Sequence, residues 1–463
     1  MSAIITNQFR RNSRKLFLED ISASNSNDYF IGIGKSDPWP DLNSVSEDGS
    51  TYSVQLPANS IRESEDALQN LIGLLKIQEV FSVIPRNQWV TGRKYRTYDP
   101  TDINLFNYDS INGYYPSYVT HSDRIYVCLN NVSESSTSSE STAPPEPVEP
   151  KVPVTTGDGY TWAYVCDVSS VSNFYTDQFI DIPESTTHSL GDHANATGGI
   201  IYGFKIVNGG TDITPSDAVN IVGMKNGTST QELLSGFKVN ITGGVITSIV
   251  PEDGNSLWHN LYTQASLVVV GTVGQEADII KETNIIPLIA PIGGFGAAPQ
   301  SDLPSFYGGL FASYVGSMID EIPVDLGFRQ ISLVKNPGVT ASDATDTVID
   351  TLRYMTVNDV SGIGGEKGTI ITGGNGAKAY LDYIDGSNIY YHQNSNGEIN
   401  QKGFTTGSVT ITSPTGTVKN TDITALAEGE YEHGTGELIF LENRKQITRN
   451  VNQQEDVKLI IQF

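Results

Sequence analysis

The chain has 463 residues, of which 38% are hydrophobic, and a formal net charge of −25. This length exceeds one typical domain, so two or three domains are expected. Because contact with nucleic-acid phosphates needs a basic footprint, the acidic charge argues against a nucleic-acid-binding protein. The charge is typical of a soluble surface that resists premature self-association, and docking of a basic partner is the alternative.

The residue types predict a fold built from short strands. The chain has 45 glycines and 21 prolines, which favour turns, and its 22 tyrosines and 16 phenylalanines supply side chains for a core. The fold class predicted is α+β, mainly β: a multi-domain, β-sandwich-like core with long loops, few helices and Gly-rich β insertions. Cys128 and Cys166 each lie in an apolar strand pattern, which predicts buried free thiols.

The first 84 residues are predicted to alternate between strands and one helix. A basic opening precedes a strand at Tyr29–Gly34. Ser60 and Glu63 form a capping box, which predicts a helix start. The apolar stripe of that helix consists of Leu68, Leu71, Ile72 and Leu75. Phe81–Ile84 is predicted to be the next strand.

The middle of the chain combines loops with further strands. Residues 95–118 hold six tyrosines among Asp, Asn and Pro, which predicts an irregular loop that buries rings. A strand is predicted at Arg124–Leu129, and the Ser-, Glu- and Pro-rich residues 131–156 predict an extended, disordered-like surface loop. The sheet pattern resumes at Gly157–Val168.

The last 270 residues contain two Gly-rich stretches of predicted β-structure. The first begins near Gly198, and its Gly-Gly and Asn-Gly turns between β-branched runs favour hairpins. Leu303–Ile322 between the two stretches has helix-like spacing, weakened by two glycines. Near the end, Leu438–Leu441 predicts a short strand, followed by a turn at Glu442–Lys445. The closing strand has an apolar face of Val457, Leu459, Ile461 and Phe463, with Lys458 and Gln462 opposite.

Several patterns come close to a chemical site without completing one. Gly34-Lys35-Ser36 lacks the earlier glycine of a phosphate-binding loop, and Pro38 and Pro40 forbid the helix that must follow. His188 and His193 are spaced poorly for a metal, so a surface loop is the better interpretation. No nucleophile motif is present, and no pair of carboxylates stands out for sugar hydrolysis. We therefore predict no catalytic residue, no cofactor, no metal and no enzyme activity. We also predict no signal peptide and no membrane insertion.

Six short motifs, taken together and in order, are similar to those of one family. They are Gly34–Trp39, Val83–Trp89, Gly157–Tyr164, Gly327–Ser332, Gly436–Asn443 and the closing strand. The chain thereby resembles the baseplate wedge subunit of T4-type contractile-tailed bacteriophages, the gene product eight family. The motif residues expected to matter structurally are Pro38, Trp39, Pro85, Trp89, Asp158, Tyr160, Trp162, Phe328, Arg329, Glu442 and Asn443.

The resemblance implies an organisation and a role. The family core would comprise residues 1–194, 291–340 and 431–463, and residues 195–290 and 341–430 would be inserted β-modules. The resemblance implies a structural virion protein of the tail baseplate, a late product made in the host cytoplasm. It would form a homodimer and contact other wedge subunits. A host-surface adhesin and a polysaccharide-degrading tail enzyme are the alternatives. An adhesin would show fibre repeats and a degrading enzyme a carboxylate-lined groove.

Overall fold

The structure of the protein is a computed structural model. It describes residues 4–22, 28–37, 39, 54, 56–131, 143–145, 153–183, 201–211, 213, 218–225, 231–234, 237–251, 262–270, 283–291, 294–315, 327–340, 347–366, 368–394, 398–447 and 453–463. Regular structure in these residues is mostly strand, arranged in several sheets and one barrel. The prediction of a mainly β, multi-domain fold is confirmed.

The elements in the described part of the chain are as follows. The helices are α1 (Asn7–Ser22), α2 (Ile61–Gln69) and α3 (Pro299–Asp302). The strands before residue 200 are β1 (Tyr29–Gly34), β2 (Leu71–Lys76), β3 (Glu79–Pro85), β4 (Lys94–Tyr95), β5 (Tyr114–Tyr115), β6 (Tyr118–His121), β7 (Arg124–Asn130), β8 (Val154–Thr155), β9 (Thr161–Asp167) and β10 (Phe179–Asp181).

The remaining strands fall into two groups along the chain. Those between residues 200 and 340 are β11 (Ile201–Gly209), β12 (Ala218–Lys225), β13 (Gln231–Leu234), β14 (Phe237–Thr242), β15 (Val245–Pro251), β16 (Tyr262–Val270), β17 (Thr283–Ile289), β18 (Tyr307–Val315) and β19 (Phe328–Lys335). Those after residue 340 are β20 (Val348–Asp350), β21 (Arg353–Val357), β22 (Ile370–Gly373), β23 (Lys378–Asp385), β24 (Asn388–His392), β25 (Gly407–Thr412), β26 (Val418–Ala427), β27 (Glu437–Ile447) and β28 (Gln454–Gln462).

The chain divides into two compact units. Unit 1 contains Met1–Lys15, Phe81–Gly309 and Ile461–Phe463, and unit 2 contains Leu16–Val80 and Leu310–Ile460. The sequence-based division into a core and two insertions concerns which segments fold independently, and it remains a prediction.

A five-stranded antiparallel sheet forms the frame of unit 2. Its order is β20-β2-β1-β19-β27. All six residues of β1 are buried, as expected for a strand covered on both faces. Gly32 is required at its centre, because an added Cβ would lie 2.4 Å from the Ser332 hydroxyl and 2.6 Å from Leu71. The sheet therefore pairs tightly around β1.

A closed six-stranded barrel completes the regular structure of unit 2. Its strand order is β21-β24-β23-β22-β25-β26, all from residues 353–427. Inward-facing residues alternate with outward-facing ones, as a barrel requires. The buried interior consists of Met355, Val357, Ile371, Ala377, Ala379, Leu381, Ile389, Tyr391, Phe404, Val409, Ile411 and Ile423.

Unit 1 has a four-stranded sheet, β6-β7-β9-β8, a three-stranded sheet, β13-β12-β16, and the two-stranded pairs β4-β5, β11-β17 and β14-β15. Gly243 and Gly244 both adopt positive φ between β14 and β15, which confirms the predicted Gly-Gly hairpin. Tyr202 of β11 lies in the same apolar cluster as Tyr98, and its hydroxyl donates to the Tyr98 carbonyl oxygen at 2.9 Å. The region from residue 201 onward thus contributes to the main core of unit 1.

The capping box is confirmed, but the predicted helix is shorter than its apolar stripe. The Ser60 hydroxyl accepts from the Glu63 N–H at 3.2 Å. The helix ends at Gln69, and the Asn70 N–H donates to the Asp66 carbonyl oxygen. Leu71, Ile72 and Leu75 belong to β2, a central strand. A continuous apolar run suits a strand buried on both faces as well as a helix. Here pairing with the neighbouring strands makes these residues a strand.

Two further predictions are corrected in the described residues. The helix-like spacing of Leu303–Ile322 falls mostly on strand β18 as far as residue 315, and residues 316–322 lie outside the described residues. In β18 the ring of Phe174 lies so close to Gly309 that a Cβ would be 2.7 Å away. The predicted turn at Glu442–Lys445 is part of β27, which continues to Ile447. Bulges in the β19–β27 pairing absorb its polar residues without ending the strand. Helix α1, in the basic opening, was not predicted.

The closing strand is confirmed as sheet structure. Strand β28 is the last strand of a sheet with the order β10-β3-β18-β28. Val457 and Leu459 are 9% and 4% exposed, while Lys458 and Gln462 are exposed. The period-2 pattern therefore gave the correct inward face.

Replacing Leu459 with alanine should destabilise the protein. Loss of a buried leucine side chain costs about 2–5 kcal/mol, so the Leu459→Ala variant should melt several degrees lower by calorimetry. Gln462→Ala, in the same strand but exposed, is the matched control and should leave the melting temperature unchanged. Equal melting temperatures for Leu459→Ala and the wild type would contradict the burial of this strand.

Candidate functional site

A buried ion cluster lies where β1 ends in unit 2. It consists of Lys35, Ser36, Asp37, Asp382 and His392. Four of these residues are at most 9% exposed, and the side chain of the fifth, Asp382, is also buried. The chain turns sharply here, because Lys35 has φ of 60° and its N–H donates to the Asn70 carbonyl oxygen at 2.9 Å. Such a conformation is uncommon for a residue other than glycine. The turn directs the polar side chains that follow β1 toward the barrel.

The barrel supplies the other half of the ion cluster. His392 ends β24, and a bulge in the pairing of β23 with β24 brings Asp382 to the same outer face. His392 Nδ1 lies 2.9 Å from Asp382 Oδ1, and His392 Nε2 lies 3.4 Å from Asp37 Oδ1. Lys35 Nζ donates to Asp37 Oδ2 at 2.7 Å. The imidazole is therefore held between two carboxylates.

Electrostatics within the ion cluster favour a charged histidine. Burial lowers the pKa of His392, but the charge and hydrogen bonds of Asp382 and the nearby carboxylate of Asp37 outweigh burial and raise it to about 10. Burial raises the pKa of Asp37, yet His392 and Lys35 hold it well below its usual range. Two cationic and two anionic side chains then sum to zero, which is what burial of charges requires.

The ion cluster contains a serine, a histidine and two aspartates, but it is not arranged for nucleophilic catalysis. The Ser36 hydroxyl donates to Asp382 Oδ1 at 2.7 Å and lies 3.2 Å from His392 Nδ1, the same nitrogen that Asp382 contacts. A catalytic triad uses opposite ring nitrogens for the serine and the aspartate, with a neutral imidazole as base. A charged His392 cannot accept the serine proton. The arrangement is an internal ion pair network.

Arg329 and Gln446 form a second group of hydrogen-bonded side chains beside the ion cluster. Arg329 is 1% exposed, and its Nη1 donates to the Ser36 carbonyl oxygen at 2.5 Å. Its Nη2 donates to Gln446 Oε1 at 3.0 Å. Neighbouring Gln330 Nε2 donates to Asn443 Oδ1 at 2.9 Å. Strands β1, β19 and β27 are thus joined by side chains as well as by the ladder.

Trp39 covers the edge of the same region. Its indole N–H donates to the Arg444 carbonyl oxygen at 2.9 Å, and Lys35 Nζ lies 4.8 Å from its ring centroid. A cation over an indole ring is a favourable contact, and more so when partly desolvated. Three of the six motifs, at Gly34–Trp39, Gly327–Ser332 and Gly436–Asn443, therefore meet in unit 2.

Unit 1 contains a buried cluster of aromatic side chains. Tyr160 and Trp162 stack at 5.6 Å between ring centroids, and Tyr95 meets Trp162 edge-on at 5.5 Å. Tyr160 and Tyr95 are fully buried. The Tyr95 hydroxyl donates to the Val90 carbonyl oxygen, which satisfies its polar end. Trp89 packs against the cluster and lies 5.7 Å from the ring of His121.

Asp158 shapes the turn that presents the stacked pair. Its Oδ1 accepts from the Thr156 hydroxyl at 2.5 Å and from the Tyr160 N–H at 3.2 Å. Gly159 has φ of 86°, a conformation that side chains other than glycine rarely adopt. The Asp-Gly-Tyr sequence is thus accounted for by turn geometry.

The other motif residues lie within strands. Pro85 ends β3, and its carbonyl oxygen accepts from the Tyr118 hydroxyl at 2.7 Å. Phe328 starts β19 and is buried, and Glu442 of β27 pairs with Arg444 at 3.0 Å. Pro38 lies outside the described residues. The structural importance expected for these side chains remains a prediction.

The two cysteines have ordinary surroundings. Cys128 and Cys166 are free and buried, as predicted, and burial raises the pKa of both thiols. His188, His193 and His259 lie outside the described residues. Among the residues that the structure describes, no group of three His, Cys, Asp or Glu side chains is placed to hold a metal ion. No helix in the described ranges has the length and apolar character needed to cross a membrane.

The family model described as Phage-Gp8: Bacteriophage T4, Gp8 matches residues 3–134. This confirms the resemblance inferred from the motifs for that part of the chain, which contains the first two motifs. The family is one of structural phage baseplate proteins. No curated protein matches the chain.

Asp382 and His392 were missed in the sequence. They lie in the stretch 341–430, which carries none of the motifs, and Ser36 and His392 are 356 residues apart. The only local sign of the site is the alternating run Asn388–His392, which places a polar histidine at a strand end. That sign does not identify a partner for the histidine. Its partner could not have been found without the tertiary structure.

The His392→Gln variant should be markedly less stable. It leaves Asp382 buried without its cation and Asp37 with Lys35 alone, and breaking a buried ion pair costs about 3–5 kcal/mol. Because the pKa of His392 in the folded state is raised to about 10, its stabilising contribution is complete below its ordinary pKa of 6.5. That contribution is lost as the pH rises from 6.5 toward 10.

Thermal melting of both proteins between pH 6 and 10 checks this. The wild type should lose stability across that range more steeply than His392→Gln. His121→Gln, a partly buried histidine without such carboxylate partners, is the control. Parallel pH profiles for wild type and His392→Gln would show that His392 is not a buried cation.

Proposed function

We propose that this chain is a structural subunit of the baseplate wedge of a contractile phage tail. In this role it forms a homodimer and scaffolds the neighbouring wedge proteins. The observation that carries the proposal is the family match over residues 3–134. Two of the motifs beyond the match, Gly327–Ser332 and Gly436–Asn443, support it because they lie on β19 and β27, in the same sheet as the matched strand β1.

The internal architecture suits a scaffold. A wedge subunit must keep its docking surfaces in fixed relative positions while load passes through it. The ion cluster fixes the barrel to the sheet of unit 2 by charge-assisted contacts, which are stronger than neutral hydrogen bonds. The aromatic cluster fixes the loops of unit 1 by large ring contacts. Both clusters place their chemistry inside the protein, so the surface remains available for neighbours.

We infer that the chain has no enzyme activity and needs no cofactor. The one Ser–His–Asp grouping in the described residues has its histidine held as a cation, and its serine is buried. The chain would be assembled in the host cytoplasm and reside in the tail baseplate. The strongly acidic charge would keep the free subunit soluble until assembly.

Electron microscopy of isolated tails, labelled with a Fab fragment against the full chain, tests this proposal. The label should appear at the baseplate with sixfold repetition, and tails from phage lacking the chain should show no assembled baseplate. The same Fab on tails from phage lacking the chain is the control for specificity. Label confined to fibre tips would favour an adhesin, and polysaccharide degradation by the purified protein would favour an enzyme. Either result would overturn the proposal.

A further inference from the structure

One face of the sheet β6-β7-β9-β8 in unit 1 is lined by aromatic side chains. Tyr126 of β7 and Trp162 and Tyr164 of β9 belong to the buried aromatic cluster, whereas the intervening Val127 and Ala163 belong to the apolar core of unit 1. Successive side chains of a strand point to opposite faces, so these rings share one face of the sheet. Tyr126 and Tyr164 are cross-strand partners, and their rings meet edge-on at 6.0 Å between centroids. The rings form the aromatic face of the sheet.

The Pro-rich connection from β7 to β8 contacts this aromatic face. Within residues 132–152 the structure describes Ala143–Pro145. Pro144 is buried, and the carbonyl oxygen of Pro145 accepts a hydrogen bond from the Tyr126 hydroxyl at 3.0 Å. The Pro-Pro segment of the chain is therefore seated on the aromatic face.

The segment and the aromatic face are chemically complementary. Proline has no backbone N–H and favours an extended backbone, so a Pro-Pro segment presents apolar rings and carbonyl acceptors. The aromatic cluster presents rings and hydrogen-bond donors. The indole N–H groups of Trp89 and Trp162 are buried and have no hydrogen-bond partner among the described residues. The cluster thus holds donors that Ala143–Pro145 does not use.

We propose that the aromatic face is a binding site for extended Pro-rich segments, filled in the free chain by its own Ala143–Pro145. Aromatic-lined grooves are a recurring means of recognising such segments. The tether gives the internal segment a high effective concentration, so an external segment displaces it only by making further contacts. The unpaired indole N–H groups supply such contacts. The site would give the subunit an exchangeable contact with a Pro-rich partner, and it does not depend on the role proposed above.

Peptide binding to a full-length variant with an altered loop tests the site. Replacing residues 141–150 with an equally long Gly/Ser linker removes the internal segment. A fluorescein-labelled peptide of residues 141–150 should bind this linker variant in fluorescence anisotropy. It should bind the wild type at least about tenfold more weakly, because the tethered segment competes at an effective concentration in the millimolar range. Adding Tyr126→Phe to the linker variant should weaken binding about fivefold, the usual net effect of one hydrogen bond.

Matched controls separate proline recognition from other causes. The same peptide with alanine in place of both Pro144 and Pro145 keeps its glutamates and should bind at least about tenfold more weakly. Tyr354→Phe, at a half-buried barrel tyrosine of unit 2, should leave binding to the linker variant unchanged. The full-length variant Pro144→Ala/Pro145→Ala retains the native loop length. It should also bind the native peptide more tightly than the wild type does, and it serves if thermal melting shows that the linker variant is unfolded.

The possible contrary results are distinct. Absence of binding to both loop variants, each with a cooperative melt, would overturn the site. Equal binding of the native and alanine peptides would overturn its preference for proline. Equal affinity of the wild type and the loop variants would show that Ala143–Pro145 does not fill the site. A wild-type dimer that dissociates in Pro144→Ala/Pro145→Ala would show that the segment binds a second copy, and would overturn its assignment as an internal ligand.

Discussion

Unit 2 depends on one electrostatic constraint, the neutrality of a buried ion cluster. Lys35 and Asp37 follow β1, while Asp382 and His392 project from the barrel, and His392 lies between the carboxylates of the two halves. Removing a charge from water is costly, so each half stabilises the other only when the barrel and the sheet are docked. The left-handed conformation of Lys35 is part of the same arrangement, since it turns the chain toward the barrel. A short motif at a strand end thereby determines where a distant six-stranded module sits.

The aromatic cluster of unit 1 also holds separate segments of the chain together, but through ring contacts instead of charges. Here irregular loops must be held without long ladders, and stacked or edge-on rings supply both area and orientation. Asp158 and Gly159 fix the turn, and the turn presents Tyr160 to Trp162. In both units the motif residues act on neighbouring segments of their own chain.

Local features of the fold could be predicted from the sequence, whereas long-range ones could not. The Ser60 cap, the hairpin at Gly243 and the inward face of β28 follow from chemistry within a few residues. Leu71 and Ile72 were assigned to a helix because a short apolar run fits both periods, and only the neighbouring strands decide. Only one half of the ion cluster could be predicted from the sequence. Its motif half was identified by resemblance, but His392 and Asp382 depend on a contact between segments some 350 residues apart, visible only in three dimensions.

The charge state of His392 is the most direct test of whether a buried, neutral ion cluster docks the barrel onto the sheet of unit 2. Nitrogen-15 chemical shifts of its ring, assigned with the His392→Gln variant, distinguish an imidazolium from either neutral tautomer. Both ring nitrogens should stay protonated at pH 8, well above the ordinary pKa of histidine. Titration of His392 near pH 6.5, or a neutral ring at pH 8, would contradict the buried ion cluster and the docking of the barrel that it explains.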